Sequence, residues 1–142
     1  MASDNAPDQF EWVSAQAACT AESMFERLRV GVKHDVEQRN ALVELDDGSR
    51  FEFSEDGETF DVARLEGSRF TEPKIAALVR FERAGRRINV HGEDVDVGFT
   101  AVLTLDPAGQ CRFVVGEALY AEWEIRRMAL ELLFFDDPEG TD

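Results

Sequence analysis

The apolar residues of this chain follow two periods that change over near residue 50. Before it, Ala21, Met24, Phe25, Leu28, Val32 and Val36 recur at steps of three and four, the spacing that gathers side chains on one face of an α-helix. Thr20 stands where an N-cap is wanted and Glu22 falls in the first turn, so a helix over 21–40 is predicted. Glu26, Arg29, Lys33 and Glu37 occupy its opposite face, with spacings that allow mild ion-pair support. Gly31 weakens the middle of this helix slightly.

After residue 50 the apolar positions alternate. Phe51 and Phe53 lead to an Asp56-Gly57 turn and return through Phe60 and Val62. Val79 and Phe81 then pass through Ala84-Gly85 to Ile88 and Val90. Val97, Phe99, Ala101, Leu103 and Leu105 share one face of a longer strand. Asp106-Pro107-Ala108-Gly109 turns the chain into a sixth strand carrying Cys111, Phe113 and Val115. Residues 118–135 contain strong helix formers without Pro or Gly and predict a second helix.

Burial dictates how these pieces combine. A sheet with one apolar face needs a cover, and two helices with apolar stripes supply it. The expected fold class is α+β with two layers: an N-terminal helix, a six-stranded antiparallel meander sheet and a C-terminal helix. The open face would carry Glu52, Asp61, Arg80, Glu82, Asn89 and Arg112. The alternative is a strongly twisted sheet curled around the first helix into a cup. In domain terms, 1–9 is expected to be a disordered tail, 10–135 one α+β domain and 136–142 an acidic tail.

Composition supports folding and narrows the class. The 142 residues are 44% hydrophobic and include 11 Phe, outside the range of disordered chains. A chain of this size can bury about two-thirds of its surface. No run approaches the roughly 18 apolar residues of a membrane span, and the start lacks a signal-peptide pattern. A soluble, cytoplasmic protein is expected.

Fifteen bases against thirty acids leave a formal charge of −15, which repels nucleic-acid phosphates and anionic membranes. The expectation is no direct nucleic-acid binding and no membrane contact. Eight of the acids lie between Glu44 and Asp61, with Arg50 as the one base. Such acidity serves solubility, forms a recognition surface, or reflects salt adaptation, for which 13 Arg against two Lys is a further hint.

Candidate chemistry is sparse. Cys19 and Cys111 are expected to be reduced and structural, with a reactive Cys19 near a helix start as the alternative. The two histidines, His34 and His91, are too few for a histidine-rich metal site. The carboxylates of His91-Gly92-Glu93-Asp94-Val95-Asp96 match no metal-binding spacing. No nucleophile elbow, glycine-rich phosphate loop or Cys-x-x-Cys occurs, so no catalytic residue, metal or cofactor is assigned.

Two features suggest contact surfaces. Arg80, Arg83, Arg86 and Arg87 flank the Ala84-Gly85 turn and could grip carboxylates or pair across strands. The C-terminal helix is apolar over more of its circumference than a sheet would cover, which singles out Trp123, Leu133, Phe134 and Phe135 as partner contacts. The function expected is a non-enzymatic protein-interaction module, a homodimer or a small subunit of a complex, contacting through that helix. One alternative is a small-ligand binder or enzyme with a pocket between helix and curled sheet, using His91 and Glu93. The other is an acidic inhibitor that mimics nucleic acid.

Overall fold

A computed structural model describes residues 10–42, 49–67 and 72–135. The expectations for the tails 1–9 and 136–142, and for Glu44, Asp46 and Asp47, fall outside these residues. The chain runs through α1 (Trp12–Ala18), α2 (Ala21–Leu42), β1 (Ser49–Asp56), β2 (Thr59–Glu66), β3 (Lys74–Ala84), β4 (Arg87–Glu93), β5 (Gly98–Leu105), β6 (Cys111–Val115), β7 (Ala118–Tyr120) and α3 (Glu122–Phe135). The strands form one antiparallel sheet in the order β1-β2-β3-β4-β5-β6-β7. The fold is therefore α+β with a meander sheet, as the pattern predicts, with one strand more.

The six apolar residues predicted for the first helix are the six that α2 buries. Its start is fixed by Thr20, whose Oγ1 accepts the Ser23 N–H at 3.0 Å. The inward positions read from alternation all belong to one core beneath α2 and α3. Phe60 sits at its centre, 4.9 Å from Phe25, 5.7 Å from Phe53 and stacked 4.6 Å from Phe81. Gly57 and Gly85 both adopt φ of 65°, the left-handed conformation their turns require.

The extra strand corrects the second helix. Residues 118–120 pair with β6 in the register Phe113↔Tyr120 after a turn at Gly116 and Glu117. The helix then begins at Glu122, because Glu124 Oε1 reaches back to accept the Ala121 N–H at 2.7 Å. Ahead of α2, the short α1 is a second element that the periodicity does not show, and it buries no residue.

Several polar contacts lock the two helices to each other and to the sheet. Arg39 Nε donates to the Phe134 carbonyl at 2.9 Å and Arg64 Nη1 to the Leu133 carbonyl at 3.3 Å, so two guanidinium groups sit at the negative end of α3. Asn40 donates to the Phe51 carbonyl at 2.9 Å and accepts the Phe51 N–H at 3.0 Å, occupying both backbone groups of that β1 residue.

Cys19 and Cys111 form a disulfide between the α1–α2 junction and the start of β6, with Cα atoms 5.4 Å apart. This corrects the expectation of two separate reduced thiols. Cys111 has an inward position in β6 and Cys19 is buried between two helices, and the packing of α1 against β5 helps bring the two together across 92 residues.

Candidate functional site

The arginine-rich turn pairs across strands, one of its two expected roles, whereas His91 and Glu93 lie elsewhere than expected. At the β3–β4 hairpin, Arg83 bonds Glu58 at 2.7 Å and Arg80 bonds Asp61 at 3.3 Å. Arg86 reaches the Leu103 carbonyl at 3.5 Å, and Arg87 is exposed at the start of β4. Of the two roles expected of this turn, the contacts seen are those of pairing across strands, with acids of the β1–β2 hairpin. Glu55 is also paired, with Arg29 at 3.2 Å.

His91 and Glu93 do not line a pocket beneath a helix. Val90 takes the buried side of β4, so His91 and Glu93 are exposed on the open face. Strand register continues a polar row there, Ser54 to Asp61 to Arg80 to His91. Among the described residues no cluster of three or more His, Cys, Asp or Glu side chains is arranged to hold a metal ion.

The C-terminal helix divides its aromatic residues between core and surface. Leu133 is fully buried and Phe134 is 8% exposed, packed edge-on against Phe51 at 4.8 Å. Leu133 is thereby withdrawn from its expected role as a partner contact, whereas Phe134, mostly buried, keeps an edge on the groove between α2 and α3. Trp123 is 54% exposed and Phe135 64% exposed.

These two exposed rings lie along a groove of about 410 Å³ between α2 and α3. Asp35, Gln38, Arg39 and Leu42 contribute one helical stripe, at steps of three and four. Trp123, Arg127, Leu130 and Phe134 contribute the facing one. Leu42, 68% exposed, adds a third apolar side chain at the rim.

Arg126 ties the walls together. Its Nη1 donates to both Asp35 carboxylate oxygens at 2.7 and 2.8 Å, while Nε and Nη2 donate to Glu122 at 2.7 and 3.2 Å. Burial works against its charge, but the bonds to Glu122 and Asp35 outweigh that and hold its pKa above the ordinary value. The guanidinium passes over Gly31, where a β-carbon would come within 2.7 Å of Nε. The glycine that looked merely helix-weakening is the one residue type that admits this crossing. At the other end, the Arg39 guanidinium stands 5.2 Å from the Phe51 ring centre and 5.0 Å from that of Phe135.

Sequence reasoning found Trp123 and Phe135 but missed the opposite wall. Asp35, Arg39 and Leu42 have no distinguishing mark on an exposed helix face. An unexplained glycine inside a strong helical pattern was the available signal for a close crossing. No known protein-family model, curated protein or solved structure matches this chain.

Proposed function

We propose that this chain is an acidic, non-enzymatic protein-interaction module that docks a protein partner, or a second copy of itself, on the groove between α2 and α3. The carrying observation is the exposure of Trp123 and Phe135 beside a charged floor fixed by Arg126. Large aromatic side chains in a half-open apolar setting act as anchors, and a fixed ionic floor selects among partners. With a net charge of −15, nucleic acid and anionic membranes are poor partners. On this reading the protein works in the cytoplasm.

Native mass spectrometry of protein purified gently from its own host tests the proposal. A dimer or a co-purified protein is expected, and Trp123→Ala is expected to dissociate it without lowering the melting temperature. A bare monomer, or a complex indifferent to both Trp123→Ala and Phe135→Ala, overturns the reading.

A further inference from the structure

The disulfide lies beside a second opening. Cys111 is half-buried and lines a cleft of about 460 Å³, together with Met24, Arg27, Arg112 and Glu122. Cys19, on the other side of the bond, is 1% exposed. Cys111 is thus the more accessible of the two cysteines, and the one a nucleophile in the cleft would meet.

The cleft differs in charge from the rest of the molecule. Glu122 is committed to Arg126, and Arg112 to Asp106 at 2.9 Å. Arg27 approaches Met24 Sδ at 3.9 Å and has no carboxylate partner among the described residues. A guanidinium that lines the same cleft as Cys111 attracts an anionic attacker in a protein whose overall charge of −15 would repel it. In a reducing compartment, disulfides that persist are chiefly transient or redox-sensing.

We propose that the Cys19–Cys111 disulfide is a thiol-exchange site, opened at Cys111 by an anionic low-molecular-weight thiol of the glutathione class that enters through the Arg27 cleft. The thiolate attacks Cys111 Sγ, a new sulfur–sulfur bond forms there, and the bond to Cys19 breaks. Cys19 Sγ keeps the electron pair and takes a proton from water, which leaves a mixed disulfide and one thiol. That thiol has an acceptor in place, the Thr104 carbonyl at 3.8 Å. Attack by the Cys19 thiolate on Cys111 Sγ reverses the step and expels the small thiol. Opening untethers the junction behind α1, which is left with its packing against β5 and the Phe10 ring over Gly109.

The test uses the full chain prepared without reductant, treated with glutathione or with neutral 2-mercaptoethanol at equal thiolate concentration. Peptide mass mapping is expected to find glutathione on Cys111. Its attack should be at least as fast as that of the neutral thiol and should slow as salt is added. Arg27→Gln should slow glutathione about tenfold and leave 2-mercaptoethanol unchanged. Hydrogen exchange in the adduct should accelerate over residues 10–20 while the sheet stays protected. Four results overturn the proposal: two free thiols in the unreduced protein, glutathione on Cys19, attack that is slower than the neutral thiol and hastened by salt, or global unfolding on opening. The salt series needs no variant, so it decides the matter even if Arg27→Gln fails to fold.

Discussion

α2 borders two apolar surfaces that are built differently. Toward the sheet, Phe25, Phe60 and Phe81 meet as a run of rings with no buried polar or charged residue among them. Toward α3, exposed Leu42, Trp123 and Phe135 surround an ionic crossing of Asp35, Arg126 and Glu122. The first surface excludes water and supplies stability through area and packing. The second leaves apolar area uncovered and spends its polar groups on geometry. That contrast is what supports the proposal of the groove, and not the core, as a docking surface.

Truncations on the two sides should separate most sharply at the ring cluster. Phe60→Ala is expected to cost about 3–5 kcal/mol in denaturant unfolding, since it empties the centre of the core. A loss under 1 kcal/mol would mean that the core is not closed around that ring. Next in size, Asp35→Ala should cost about 1–3 kcal/mol, because Arg126 keeps Glu122 and a long bond to the Gly31 carbonyl but loses its carboxylate partner across the helices. If stability stayed level, the crossing would be dispensable.

Gly31 offers a finer probe. An alanine there gains about 1 kcal/mol of intrinsic helix preference. Its β-carbon meets Arg126 Nε at 2.7 Å and Cδ at 2.9 Å, so the gain should be absent in the native background and appear once Arg126→Ala has removed the obstacle. Equal effects in both backgrounds would break the account of the crossing. Smallest of all, Trp123→Ala should change unfolding free energy by less than about 0.5 kcal/mol, as an exposed side chain should. A large thermal destabilisation would move Trp123 from the docking surface into the fold.

What could be read in the sequence divides along the same line. The ring cluster was legible because burial imposes a period, three and four in α2 and two in the strands, and those residues take the inward positions assigned to them. The groove was half legible. Trp123 and Phe135 stood out as excess apolar area, yet the sequence could not say that Leu133 and Phe134 point inward while Phe135 does not. β7 was hidden because Ala118, Leu119 and Tyr120 suit a helix as well as a strand, and only the turn at Gly116 and the Glu124 cap decide between them. The disulfide was hidden for a different reason. Its partners are 92 residues apart, and no local pattern reports which distant inward position faces which.

The Asn40 contact with Phe51 has a consequence for how the protein behaves when crowded. A sheet with seven strands in simple order ends in two rims, and each rim could recruit a strand from a neighbouring molecule and grow into a fibre. At the β1 rim the Asn40 amide already holds both backbone groups of Phe51, as a short piece of a further strand would. At the far rim β7 is only three residues long, too little to template an added strand. One side chain and one short strand thus shorten the open backbone edges that this meander offers to a neighbouring molecule.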